Sequence, residues 1–265
     1  MSLYLTLFRL SLQEAIQYRV ESAIYFLYDV LPPIMMAFVW LTAYEGQESV
    51  AGFSLSQMLV YTVGVMILRA MLTAHVEWAI DHEVRQGILS TYLVKPINVW
   101  AQWFVSELAW KMVRGMLIAP VLLGCLIWLG GELALPPLDA GRIALLVVSL
   151  VLAYLVCFTL KLCLGMLTFW TTDINGIMTL YEVVVAVFGG VLVPLALLPA
   201  PLYAVALALP LRAIYDVPLT IVLGRLDGPA LWWSLLSQVA WLVVLALLAR
   251  YLWRHGLRRY EAVGG

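Results

Sequence analysis

Six apolar stretches, 24–44, 55–74, 103–129, 142–162, 176–198 and 231–250, take up most of this 265-residue chain. A helix rises about 1.5 Å per residue and a hydrocarbon core is about 30 Å thick, so about 20 such residues make one crossing. Inside hydrocarbon every backbone N–H and C=O must find its partner within the protein, which makes helices the natural form for runs of this length. The expected fold is an all-α polytopic membrane protein. Composition agrees, with 64% hydrophobic and 12% charged residues and a mean hydropathy of +0.98. Six crossings use up the length, so one membrane domain over 1–265 is expected, and no cleavable leader is evident after Met1 to Leu10.

The remaining segments read as follows. Arg9, Glu14 and Arg19 punctuate the apolar residues of 2–20, as expected of an amphipathic helix lying in the interface. Asp29 and the pair Pro32-Pro33 fall in the first span, where a kink is expected. Trp100, Trp103, Trp110, Lys111 and Arg114 form an aromatic and basic belt at the start of the third span. Residues 130–141 form a Gly- and Pro-containing turn, and Lys161 to Asn175 a connector around Asp173. Pro199, Pro201, Pro210 and Pro218 interrupt 199–228, so this apolar segment is expected as short re-entrant or surface helices between the fifth and sixth spans. Residues 251–265 make a basic tail.

Basic residues are unevenly shared between the two sides. Arg9, Arg19, Arg85, Lys95, Lys161, Arg254, Arg258 and Arg259 fall on one side, against Arg142, Arg212 and Arg225 on the other. The positive-inside rule then places both termini in the cytoplasm, in keeping with an even number of spans.

On that same side lies a polar stretch, Glu77 to Pro96, which holds five of the chain's charged residues (15 Lys and Arg, 16 Asp and Glu in all). It reads as a short amphipathic helix, a break at Gly87 and a stop at Pro96, and so as a docking surface for a soluble partner.

Several other patterns carry no catalytic chemistry. His82-Glu83-Val84-Arg85-Gln86 has Gln86 where a zinc-protease helix needs its second His, and Gly52-Phe53-Ser54-Leu55-Ser56 lacks the closing Gly of a nucleophile elbow. Cys125, Cys157 and Cys163 have neither disulfide nor zinc spacing. Lys95, Lys111 and Lys161 are the only lysines, and none stands in a phosphate-binding loop, so this chain does not hydrolyse ATP alone and no cofactor or metal site is expected in it. Ionisable groups within spans are costly and face a partner or a cavity. Asp29 and Glu182 are therefore candidates for a translocation path, Asp29 having a water-reached place near the interface as its alternative. Glu107, Lys111 and Arg114 are spaced so that the first two can pair while Arg114 reaches lipid phosphate. Arg69 can snorkel or pair with Glu77.

The arrangement resembles the type-2 permeases of ABC exporters. The run Gln86-Gly87-Ile88-Leu89-Ser90-Thr91-Tyr92-Leu93-Val94-Lys95-Pro96 is similar to their Gly-x-Leu-x-x-x-Leu-x-[Lys/Arg]-Pro pattern. Gly189-Gly190-Val191-Leu192-Val193-Pro194-Leu195-Ala196-Leu197-Leu198-Pro199 resembles the run ahead of their outer hairpin. The resemblance implies a half-transporter in the bacterial plasma (inner) membrane. A second permease chain, identical or related, would pair with it, and a separately encoded ATPase subunit would bind ATP and Mg. About Glu77 to Ser90 would be the coupling helix, with Asp81, His82, Glu83, Arg85, Gln86, Gly87, Ile88 and Leu89 at the ATPase, Ile88 and Leu89 being its apolar anchors. Pro194, Pro199 and Pro210 would belong to the outer gate. The cargo would be amphipathic, drug-like or lipid-like; membrane lipids are the other partner implied, and no nucleic acid is. The competing reading is an ion-gradient-driven secondary transporter or channel without an ATPase, for which Asp29 and Glu182 would be the nearest functional pair.

Overall fold

A computed structural model describes residues 3–17, 19–50, 52–129, 137 and 139–260, with side chains for all of these except 19–23, 25, 26, 28, 29 and 126. Eleven α-helices follow in order among these residues: α1 (Leu3–Gln17), α2 (Arg19–Ala43), α3 (Leu55–Leu72), α4 (Val76–Arg85), α5 (Ile88–Leu93), α6 (Val99–Leu129), α7 (Ala140–Met166), α8 (Asn175–Phe188), α9 (Ala200–Ala208), α10 (Asp216–Val222) and α11 (Gly228–Arg259). Tight 3-10 turns occupy Leu167–Phe169, Leu195–Leu197 and Pro210–Ala213.

Local chemistry sets several of these bounds. Ser54 and Gln57 close a capping box at the start of α3, each side chain taking the other's backbone N–H at 3.2 and 3.3 Å. Asp139 accepts from the Arg142 backbone N–H at 3.0 Å to start α7. Pro229 sits in the first turn of α11, where its missing N–H costs nothing. Pro32 and Pro33 lie inside α2 without interrupting it.

Four runs are long and apolar enough to cross a bilayer: Leu55–Arg85 (α3 continued through α4), α6, Ala140–Phe169 (α7 with its 3-10 turn) and α11. The first is the central one, with 67% of its apolar window buried inside the chain, against 24% to 28% for the other three. Those three present rows such as Met112, Met116, Leu123 and Ile127 on α6 to their surroundings, apolar faces suited to lipid rather than water. Val30–Ala43 in α2 and all of α8 are shorter apolar helices.

Two expectations need correction. The fifth stretch, 176–198, is not one crossing: α8 stops at Phe188, and Gly190 turns left-handed at φ 81°. Its 14 residues reach only about 21 Å. Lys161 is not in a connector either, because α7 continues to Met166 and buries it, which removes one charge from the loop count. The Pro-broken segment does fold as short pieces, α9, Pro210–Ala213 and α10. Most of the 130–141 turn, the end of the tail at 261–265, residue 18, the first two residues and the Asp29 side chain lie outside what the structure describes.

The largest core joins α3, α4, α7, α11 and the 211–223 region. A second one joins Val30 of α2, Met66 and Ala70 of α3 and Ile118 of α6. Helix α7 runs the length of the fold. Near its start Leu145 and Leu146 pack on Val217 and Ile221 of α10, and near its end Gly165 meets α4. About 20 residues, or roughly 30 Å, separate those contacts, so α4 and the Pro-broken segment sit a bilayer thickness apart.

Candidate coupling segment and a buried ionic network

Helix α4 is amphipathic, and its inward face, Val76, Glu77, Ile80 and Val84, is buried. The fit against α7 depends on Gly165. A Cβ there would stand 2.8 Å from the Glu77 Cα and 2.9 Å from the Ile80 Cδ1, closer than side chains pack, so only glycine admits this crossing. Polar contacts fix the helix further. Asp81 accepts from Arg85 Nε and from the Thr168 hydroxyl, both at 2.8 Å. Glu83 accepts from the Trp103 indole N–H at 2.9 Å. Trp103 in turn meets Trp253 edge-on, as Phe169 does, so α6, the 167–169 turn and the end of α11 form an aromatic floor beneath α4.

The side chains expected to meet a partner divide in two. Asp81, Glu83 and Arg85 are half-buried and engaged within the chain, Gly87 and Ile88 are half-buried, and Leu89 is wholly buried. Leu89 is thus a core residue here and not an exposed anchor. His82 and Gln86 are exposed, and with Trp78 they form a stripe at i, i+4 and i+8, with Ala79 beside it. Gly87, left-handed at φ 71°, separates α4 from α5. Beyond it, Thr91, Leu93 and Val94 continue the exposed surface, Val94 being 84% exposed. Sequence reasoning passed over Trp78 and Val94, although the spacing 78, 82, 86 was readable from the helix period.

Behind α4 lies a set of charges that the sequence reading did not connect. Glu77 Oε1 accepts from Lys161 Nζ at 2.7 Å, with only 1% and 3% of the two side chains exposed. Lys161 Nζ is also 3.7 Å from Glu182, and Arg69 donates to the other oxygen of Glu182 at 3.3 Å. The Lys161 ammonium lies over the Tyr181 ring, 4.2 Å from its centre. Negative and positive groups thus alternate from α4 through α7 and α8 to α3. Arg69 was expected to snorkel or to meet Glu77; the structure gives it Glu182, and gives Glu77 the ammonium of Lys161. Glu107 and Lys111 both turn to the α3–α4 joint, Glu107 accepting the His75 backbone N–H at 3.1 Å and Lys111 donating to the Thr73 carbonyl. Arg114, expected at lipid phosphate, is buried. The available signal was the isolation of Lys161 after the chargeless run 143–160, with Glu182 alone in the next apolar stretch.

At the far end of α7 the polar contacts are of another kind. The Tyr61 hydroxyl donates to the Gly190 carbonyl at 2.6 Å, and Gln238 Nε2 bridges the carbonyls of Ser149 and Ala213 at 3.1 and 2.8 Å. Arg212 pairs with Asp216 at 3.2 Å. Arg225 donates to the Gly52 carbonyl at 3.0 Å and lies over the Phe53 ring. Of the three prolines expected at a gate, Pro194 is buried, Pro210 half-buried and Pro199 exposed. Nearly all of α9 is exposed, apart from Ala206. Among the described residues no cluster of three His, Cys, Asp or Glu could hold a metal ion.

Comparison with known proteins gives a match to a family model, described as ABC-2 family transporter protein, over residues 30–264. No curated protein and no solved structure matches the chain.

Proposed function

The chain belongs to the ABC-2 transporter family, as a membrane transport subunit and not a catalytic one, and on that premise we propose that it is the permease of an ATP-driven exporter coupled to its ATPase through α4 and α5. The observation that carries this reading is the seating of α4. It is a helix with one exposed polar and aromatic stripe, clamped by Gly165, Asp81 and Glu83 to the ends of two long apolar helices. A partner pressing on Trp78, His82, Gln86, Leu93 and Val94 would move α4 with α7 as one body.

In this reading the α4 end faces the cytoplasm, as do both termini, and the membrane is the bacterial plasma membrane. The ATPase subunit holds ATP and Mg, and a second permease chain completes the path. ATP binding draws the two ATPases together and the coupling helices follow, shifting the permease pair between inward- and outward-open states. The Pro194-to-Pro210 region closes the outer side. The cargo in this reading is amphipathic, drug-like or lipid-like, as the family resemblance implies. Glu182 carries two cationic partners, which makes it a poor free carboxylate for an ion-driven carrier.

The test is co-expression with a candidate ATPase subunit that carries a phosphate-binding loop, followed by purification and transfer to lipid vesicles. W78A/H82A/Q86A removes the exposed stripe and none of the hydrogen bonds and ion pairs described above. It is expected to lose the ATPase on purification while the permease itself unfolds at the parent temperature. Retention of the ATPase at parent stoichiometry and turnover would overturn the assignment.

A further inference from the structure

Lys161 and Gly165 are four residues apart on α7 and so share one face, and both meet the same residue of α4. Gly165 touches the Glu77 backbone, while Lys161 holds the Glu77 carboxylate at 2.7 Å. The second reach of Lys161 is toward α8, where Glu182 stands 3.7 Å from it and 3.3 Å from Arg69 of α3. We propose that Lys161 is a positioning residue through which displacement of α4 is passed on to α8, by way of the charge sequence Glu77, Lys161, Glu182 and Arg69. This inference rests on the coupling role of α4 given above.

The physical argument is one of unequal links. Glu77 and Lys161 are almost wholly excluded from solvent, and separating them would strand a charge in a low-dielectric interior. That link is stiff. Glu182 is 37% exposed and stands between two cations at nearly equal distances. A slide of about one ångström between α7 and α8 changes which cation it favours and leaves no charge alone, an exchange that interdigitated apolar side chains do not offer at that step. The cation–π contact with Tyr181, the neighbour of Glu182 on α8, keeps the ammonium facing that helix as it moves. Apolar residues of the same volume would hold four helices together as well or better. What the charges add is a connection between helices that can be handed from one partner to the other.

Hydrogen exchange of the purified permease–ATPase complex in lipid nanodiscs, with and without Mg-ATP and vanadate, reads the two helices separately. In the parent, both 76–85 and 175–188 are expected to change on nucleotide trapping. In E182Q, whose buried Glu77–Lys161 pair is untouched, the change at 76–85 is expected to persist and the change at 175–188 to be lost, with the unfolding temperature kept. The double variant E77Q/K161M removes the stiff link without stranding a charge, and it too is expected to lose the response of α8. If 175–188 responds in E182Q as it does in the parent, the relay is overturned and coupling through α4 stands. If 76–85 fails to respond in the parent, the coupling reading falls and the relay with it.

Discussion

The two ends of α7 are built from different materials. Where α7 meets α4, a buried ion pair, a glycine crossing and an aromatic floor join helices that are each long or firmly clamped. Where α7 meets α10, short pieces set off by prolines are tied back by separate hydrogen bonds that Gln238 and Tyr61 donate to backbone carbonyls, and the ion pairs described there are either local, as Arg212–Asp216, or solvent-exposed, as Arg142–Asp227. A neutral hydrogen bond contributes about 0.5–1.5 kcal/mol, whereas breaking a buried ion pair by removing one partner costs about 3–5 kcal/mol. The first end is therefore a stiff joint, and the second an assembly of small contacts that can be rearranged one at a time.

The largest effect is expected from K161M alone. It leaves the Glu77 carboxylate, 1% exposed, without its cation, and should cost about 3–5 kcal/mol, read as a lower unfolding temperature in detergent. Adding E77Q should recover most of that loss. If the single and double variants melt together, the Glu77–Lys161 pair does not govern this end. G165A comes next. Its methyl would stand 2.8 Å from the Glu77 Cα, and overpacking of this kind costs about 1–3 kcal/mol. Proteolysis or hydrogen exchange over 76–85 should show α4 loosened while α11 is unchanged; loosening spread evenly over the chain would argue against a local seat for α4.

How much of this was legible in the sequence follows from the range of each interaction. Helical class, the break at Gly87 and the short pieces after Pro199 depend on local rules and were readable. The extent of α8 was misjudged because Gly189 and Gly190 sit within an apolar run that hydropathy averages over, while the left-handed turn at Gly190 ends the helix. The ionic network was missed because its members lie far apart in the chain, 84 residues for Glu77 and Lys161 and 113 for Arg69 and Glu182. Helix spacing offers only near neighbours, which is why it could suggest Lys111 for Glu107 but not the His75 backbone, 32 residues away. Leu89 illustrates the same limit within the candidate site. Its place in a family-like motif carried no information about which way α5 faces, and the structure turns it into the core.

The smallest effect is expected at the Pro-broken end, from Arg225. Its guanidinium joins the turn between α10 and α11 to the one between α2 and α3, by the Gly52 carbonyl at 3.0 Å, Gln57 at 3.1 Å and the face of Phe53. The Arg225 side chain is exposed while the Phe53 ring beneath it is buried, so water and salt weaken the polar contacts, and a cation–π contact made by an exposed cation contributes about 0.5–1 kcal/mol. R225A should accordingly leave the unfolding temperature within a degree or two of the parent. Any change should instead be local, as faster exchange at 50–54. Turns joined through a solvent-exposed side chain can part without unfolding either α3 or α11, whereas the wholly buried Glu77–Lys161 pair at the α4 end cannot be separated so cheaply. Should R225A destabilise the protein as much as G165A, the contrast between a stiff joint and a loosely tied end would be lost.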